Sequence, residues 1–76
     1  MVTVKLLAVL KEFAPNDGII ELEFMPGMTI ADALAKTDVG STDIKYSVLV
    51  NNARKTLEDA VEDGDTIMVM PLLAGG

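Results

Sequence analysis

The sequence predicts an α+β domain in which one helix lies across one face of a mixed β-sheet. Four segments with apolar or alternating residues are typical of strands, at residues 2–10, 19–25, 46–50 and 66–70. Between the second and third of these, apolar residues recur with helical spacing. A hairpin followed by a helix that returns the chain to the sheet predicts the order strand, strand, helix, strand, strand. The first and last strands are the most apolar, so we expect them in the centre of the sheet.

The first segment, residues 2–10, is rich in valine and leucine. Its alternation predicts a strand whose fully buried face is formed by Val2, Val4, Leu6 and Ala8. We expect residues 11–14 to form one helical turn before Pro15. The Asn-Asp-Gly sequence at residues 16–18 is typical of a loop or hairpin turn.

The second segment alternates apolar residues with glutamates. Glu21 and Glu23 are predicted to point outward, and the inward-facing positions are predicted to be Ile20, Leu22 and Phe24. Because exposed carboxylates discourage pairing with another chain, we expect this strand at an edge of the sheet. The Pro-Gly pair at residues 26–27 is expected to end it.

A short helix is predicted from residue 30 to about residue 37. Thr29 is a candidate for its N-cap residue, and Asp32, three positions later, can complete a capping box. The helical face predicted to cover the sheet consists of Ile30, Ala33 and Leu34. The helix is expected to end near Gly40.

The second half of the chain is predicted to contain two strands joined by turns. After the strand at residues 46–50, two asparagines turn the chain, and Arg54 and Lys55 can add a short strand. Residues 57–61 are typical of irregular structure. The Glu-Asp-Gly-Asp sequence at residues 62–65 predicts a tight turn, and because it lacks the ligand spacing of an EF-hand loop we expect no metal site there.

The composition excludes several classes of function. The 76 residues are enough for one domain, and without cysteine or histidine they lack a thiol nucleophile and most ligands of zinc, iron–sulfur and haem sites. No bound cofactor is expected. A net charge of −6 argues against nucleic acid and anionic membranes as partners and suits a basic protein partner. The apolar run at residues 6–10 is too short for a signal peptide or a membrane span, so we expect a cytoplasmic protein.

The C-terminal segment offers one reactive group. We expect residues 1–70 to form the domain and residues 71–76 to form a flexible tail, because a proline cannot continue a strand ladder. The tail consists of Pro71, Leu72, Leu73, Ala74, Gly75 and Gly76. Its two glycines have no side chains and suit a narrow channel. The α-carboxylate of Gly76 is ionised at neutral pH, so it must be activated before it can react, for example as an acyl adenylate. The alternative is a frayed terminus without function.

This combination resembles the ubiquitin-like sulfur carriers of the MoaD/ThiS family over nearly the whole chain. The residues that carry the resemblance are Val4-Lys5-Leu6-Leu7, the stretch 26–34, Val50-Asn51, Leu57, the stretch 63–67, Pro71 and Gly75-Gly76. The first half and Pro71 are most similar to the small subunit of molybdopterin synthase. Leu72 departs from the second proline that such carriers often have, and the thiamine-pathway carriers usually lack the first proline.

The resemblance implies a ubiquitin-like β-grasp fold and a mechanism without a catalytic side chain. An E1-like adenylating enzyme would use ATP to adenylate Gly76, and a sulfur donor would convert it to a thiocarboxylate. An acceptor enzyme, such as the large subunit of molybdopterin synthase, would then take up the tail and receive the sulfur for the molybdenum cofactor. The chain itself would be a non-catalytic carrier or small subunit.

Other functions remain open at this point. The chain could serve thiamine synthesis or another sulfur-transfer route. It could also be a protein modifier joined through Gly76 to a lysine, although it lacks the arginines that ubiquitin carries before its Gly-Gly. A plain interaction domain with an incidental tail is the third alternative.

A partner surface is predicted on the face of the sheet that the helix leaves open. By the alternation of the first and last strands, Leu7, Met68 and Met70 point away from the helix, and Leu49 is expected to join them. A contiguous apolar patch beside the tail would suit binding, and methionine adapts to more than one partner surface. The alternative is that single exposed apolar residues are ordinary.

Overall fold

Five strands form one sheet in the computed structural model of the chain, which describes residues 1–41 and 45–72. They are β1 (Val2–Leu6), β2 (Ile19–Leu22), β3 (Tyr46–Val50), β4 (Ala53–Lys55) and β5 (Thr66–Pro71). A helix spans Ile30–Leu34, two 3₁₀ segments span Ala8–Phe13 and Asp38–Ser41, and Pro15–Gly18 forms a single tight turn.

The strand order in the sheet is β2-β1-β5-β3-β4. β1 and β5 run parallel, and every other neighbouring pair is antiparallel. The prediction of a mixed sheet is therefore confirmed. The first and last strands each have a neighbour on both sides, and β2 lies at an edge, as their apolar and acidic compositions indicated.

The core lies between the sheet and the helix. Its strand residues are Val2, Val4, Leu6, Val48, Val50, Ile67 and Val69, and they pack with the helical residues Ile30, Ala33 and Leu34. Four residues from connecting segments, Leu10, Met28, Val39 and Val61, complete it. Each fully buried Val, Leu or Ile contributes about 1.5–3 kcal/mol. Because these side chains all lie on one side of the sheet, the opposite face stays open.

The first strand ends earlier than predicted. β1 stops at Leu6, and Ala8 is exposed, although the alternation had placed it in the core. Ala8 adopts a left-handed φ of 53°, which turns the chain out of the sheet into the 3₁₀ segment. That segment brings Leu10 into the core instead, with 0% of its surface exposed. The helical turn predicted at residues 11–14 covers residues 11–13, as the second half of a longer 3₁₀ segment, and Ala14 is extended.

The Asn-Asp-Gly turn that leads into β2 is confirmed. Asn16, Asp17 and Gly18 have positive φ angles of 57°, 60° and 82°. Gly18 also packs tightly, because a Cβ atom there would lie 2.5 Å from the carbonyl oxygen of Leu6. β2 is shorter than predicted and ends at Leu22.

The predicted capping box begins the helix. The backbone N–H of Asp32 donates to Thr29 Oγ1 at 3.2 Å, and the backbone N–H of Thr29 donates to Asp32 Oδ2 at 3.0 Å. The helix ends at Leu34 rather than near residue 37. The turn that follows the helix is tighter than an α-helical turn, because Thr37 donates both its backbone N–H and its hydroxyl to the Leu34 carbonyl oxygen, at 3.0 and 2.8 Å.

The turns of the second half follow the sequence prediction. Asn51 and Asn52 have φ angles of 52° and 65°, which suit the tight hairpin between β3 and β4. The acidic residues 62–65 form a turn closed by a 2.9 Å hydrogen bond from the Glu62 N–H to Asp65 Oδ2. The N-terminal ammonium group pairs with Asp63 and ties the start of β1 to this turn.

Candidate functional site: the open sheet face and the root of the tail

The sheet holds the chain for two residues beyond residue 70, the predicted end of the domain. Pro71 is the last residue of β5 and lies opposite Tyr46, and the Leu72 N–H donates to the Lys45 carbonyl oxygen at 2.8 Å. The domain therefore extends past residue 70, and Pro71 and Leu72 form the root of the tail.

Pro71 fits in the strand because its missing N–H has no partner to lose. The Val69 carbonyl oxygen accepts a hydrogen bond from the Leu7 N–H on the β1 side. Since alternate residues of a strand direct their peptide groups to the same side, the Pro71 nitrogen also faces β1. β1 has already ended at Leu6, so the ladder loses nothing there.

The other tail residues to which the sequence analysis gave roles are Leu73, Ala74, Gly75 and Gly76. They lie outside the described residues, and the role of the Gly76 carboxylate stays a prediction.

The residues of β5 alternate between the two faces of the sheet, as predicted. Ile67 and Val69 are fully buried under the helix, whereas Met68 and Met70 lie on the open face. Met68 is half-buried and Met70 is 39% exposed.

The four predicted surface residues are neighbours on this open face. Leu49 lies directly opposite Met68, and Met70 lies opposite Ser47. Leu7 follows the β1 residue that pairs with Val69, so it lies beside Met70. We call Leu7, Leu49, Met68 and Met70 the apolar patch. Its function as a partner surface stays a prediction.

The apolar patch occupies the half of the open face nearest the tail. The other half is polar, since Thr3 lies between Glu21 of β2 and Thr66 of β5. Leu72, two positions beyond Met70, is 48% exposed and extends the apolar surface to the root of the tail. The patch and the tail root therefore form one continuous surface.

Two cations that belong to strands of the open face were not included in the predicted surface. Lys5 lies next to Met68, and Arg54 lies opposite Leu49. Both are exposed. The alternation of β1 already placed Lys5 on the outward side, but the position of Arg54 depends on the register of β4, which a three-residue strand does not reveal in the sequence.

The two carboxylates with altered titration stabilise turns and lie outside this surface. The pKa of Asp32 is lowered, chiefly because its carboxylate accepts the Thr29 backbone N–H and also bonds with the Thr29 side chain. The pKa of Asp59 is lowered in the same way, chiefly by the Thr56 backbone N–H at 2.8 Å. Each carboxylate therefore caps the turn in which it lies.

Two other features, a metal-binding cluster and a membrane-spanning helix, are absent from the described residues. Among them, no three His, Cys, Asp or Glu side chains come together to hold a metal ion. In the same part of the chain, no helix has the length and apolar character needed to cross a membrane.

The sheet order and the helix that packs on one face of the sheet match the ubiquitin-like β-grasp fold. The chain is similar to SAMP1 from Haloferax volcanii, a ubiquitin-like small archaeal modifier protein, whose crystal structure superposes with a TM-score of 0.77. The two sequences are 25% identical, and the similarity covers 99% of this chain and 98% of SAMP1. A scan against protein-family models and a search of curated proteins found no match. The prediction of a ubiquitin-like β-grasp fold is thus confirmed, while the assignment to the molybdopterin type remains a hypothesis.

Proposed function

We propose that this chain is a ubiquitin-like carrier that an E1-like enzyme activates at the carboxylate of Gly76. The observation that carries this proposal is the continuity between the apolar patch and the root of the tail. β5 lies in the middle of the sheet, so a partner that covers Met68 and Met70 also lies beside Leu72. A bound enzyme would hold the domain and receive the tail in one orientation.

The chemistry follows from the one group that the tail supplies. The Gly76 carboxylate attacks the α-phosphorus of ATP, and pyrophosphate leaves, which gives an acyl adenylate. A sulfide-equivalent nucleophile from a sulfur donor then attacks the acyl carbon, and AMP leaves, which gives a thiocarboxylate. The carrier contributes no acid or base to either step. Its contribution is to position the reacting carbonyl, which can be worth several kcal/mol in rate.

Sulfur delivery for molybdopterin is the acceptor pathway that we favour. The support comes from the sequence resemblance, in which Pro71 and the long first half are most similar to the small subunit of molybdopterin synthase. Thiamine synthesis and other sulfur-transfer routes use the same activated tail. The acceptor enzyme would read the same continuous surface after the activating enzyme has left.

Protein modification is the second candidate function, and the similarity to SAMP1 favours it. In this case a lysine amine of a target attacks the activated acyl carbon of Gly76, and an isopeptide bond forms. Both functions share adenylation, so they differ only in the nucleophile that takes the acyl group.

Mass spectrometry of the protein from its native cell tests the two functions together. A carrier shows a form whose C-terminus is heavier by the mass difference between sulfur and oxygen. A modifier leaves tryptic remnants on target lysines, and because Lys55 is the last basic residue, each remnant spans residues 56–76 rather than Gly-Gly alone. If neither species occurs and no adenylating enzyme of that cell acts on the chain, the proposed function is wrong.

A further inference from the structure

One row of side chains crosses the whole open face at the level of Met68. The register places Ile19 beside Lys5, Lys5 beside Met68, Met68 beside Leu49, and Leu49 beside Arg54. Each of the five strands contributes one residue to this row. Its centre is apolar, and a cation lies on each side of that centre.

The positive charge of these two residues contrasts with the net negative charge of the whole chain. Lys5 and Arg54 are separated by three strand spacings, or about 14 Å between backbones. Among the described strand residues of the open face, Glu21 is the only carboxylate, and it lies one row away in the polar half, next to Thr3. Neither cation forms an ion pair with another described residue. The chain as a whole carries a net charge of −6, so this face has the opposite local charge.

We infer that the partner that binds this face presents an acidic protein surface, with an apolar centre for Met68 and Leu49 and a carboxylate on each side for Lys5 and Arg54. This inference rests on the proposed function, since the partner in question is the enzyme that activates the tail. It differs from the expectation from composition alone, because a basic partner would meet like charges on this face.

A second copy of the chain fits this face poorly. In a two-fold symmetric dimer the same patch meets itself, so the row would place Lys5 and Arg54 against the cations of the other copy. The row contains no carboxylate that could pair with them. A partner that brings its own carboxylates avoids this repulsion.

The charged residues and the apolar residues of this row are expected to contribute to partner binding in different ways. Exposed charges at the rim of an interface mainly raise the association rate and reject wrong partners, and their effect weakens with salt. The half-buried centre, Met68 and Leu49, supplies the area that is removed from water. The cations should therefore control the KM for the carrier, whereas the chemical step should not depend on them.

Cross-linking with a carbodiimide tests the partner's carboxylates directly. The reagent activates a carboxylate as an O-acylisourea. A neighbouring lysine amine attacks the carboxyl carbon, the reagent leaves as a urea, and an amide bond forms only between groups in contact. The probe is the purified adenylating enzyme from the same cell. We expect a link from Lys5 to an Asp or Glu of that enzyme, and a second link from position 54 in the Arg54→Lys variant. Lys55 serves as the control, since it is exposed but pairs with buried Val48 and so lies on the opposite face.

Charge reversal gives the matching kinetic test. In ATP–pyrophosphate exchange at 0.1 M salt, we expect Lys5→Glu and Arg54→Glu each to raise the KM for the carrier about fivefold without changing kcat. At 1 M salt, where the Debye length falls to about 3 Å, both should approach the wild type. Lys55→Glu should keep the wild-type KM, and melting midpoints should show that all variants are folded.

The outcomes separate the inference from the function on which it rests. If the wild type is activated, but both reversals keep its KM and Lys5 forms no link, the inference is wrong and the carrier function stands. A lower KM for the two charge-reversal variants would show that the partner is basic. A concentration-dependent dimer linked through Lys5 would show that a second copy of the chain binds this face. If the wild type is not activated by any adenylating enzyme of the cell, the proposed function and this inference fail together.

Discussion

Leu49 of β3 lies directly opposite Met68 of β5 in the middle of the open face. Both side chains are half-buried although the helix packs on the other side of the sheet. They shield each other and the backbone between them, so the centre of the apolar patch is formed by the sheet itself. Such a surface exists before any partner arrives, and a partner can bind it without reorganising the domain.

Met68→Asp should weaken activation of the carrier without unfolding it. The change places a charge in the centre of the apolar patch, where a docked enzyme would have to desolvate it. Because Met68 points away from the core, we expect a loss of stability of no more than about 1 kcal/mol. The measurement is ATP–pyrophosphate exchange together with the melting midpoint of the same sample.

Thr66→Asp is the matched control for that variant. Thr66 lies on the same strand and the same face as Met68, but in the polar half, beside Thr3. It should be activated like the wild type. Equal exchange kinetics for Met68→Asp and the wild type would show that the patch does not bind the activating enzyme.

The period of two along the strands explains how much of this site was predictable. Met68 and Met70 could be assigned to the open face because they alternate with Ile67 and Val69, whose burial the apolar run requires. The capping box was predictable as well, since it depends on residues three positions apart. These features are local, and their physical causes are contained in a few consecutive residues.

The features that were not predictable depend on contacts distant in sequence. The end of β1 at Leu6 was missed because the apolar run continues to Leu10, and only the left-handed turn at Ala8 ends the strand. Arg54 reaches the open face through the register with Leu49. Pro71 belongs to the sheet because its neighbouring strand has already ended. Local propensity does not contain any of these facts.

Gly18→Ala should destabilise the protein more than Gly27→Ala does. Both glycines have a left-handed φ, of 82° and 83°. An alanine at either position would lower the free energy of unfolding by about 1–2 kcal/mol, because an L side chain is strained there. A Cβ at residue 18 would also lie 2.5 Å from the Leu6 carbonyl oxygen, whereas nothing lies within 4 Å of a Cβ at residue 27. Urea midpoints of the two variants give the comparison. Equal losses would mean that the turn after β1 relaxes freely, contrary to the packing described here.

The stability of the protein should fall as the pH drops below about 3.8, the ordinary pKa of an aspartate. Asp32 and Asp59 have lowered pKa values in the folded state, so at higher pH their charged forms favour folding. Protonation as the pH passes down through the lowered values removes this contribution. Urea denaturation of the wild type and of an Asp32→Asn/Asp59→Asn variant from pH 7 to pH 2 measures it. The difference between the two proteins should shrink in acid, and a constant difference would show that the charges contribute nothing.

Gly75→Ala should melt like the wild type and fail in activation or in delivery. The described core ends with Val69, and residue 75 lies six positions further along the chain, so we expect a methyl group there to leave the core unchanged. A channel that closes around an extended Gly-Gly leaves no room for a Cβ, and a displacement of the reacting carbonyl by about 1 Å can cost about 100-fold in rate. The melting midpoint, the ATP–pyrophosphate exchange rate and the transfer of sulfur to an acceptor are measured on one sample. Ala74→Gly is the matched control, because it removes a methyl group from the neighbouring residue and should keep both activities. If Gly75→Ala keeps full activity through both steps, no narrow site receives the tail, and the carrier mechanism loses its physical basis.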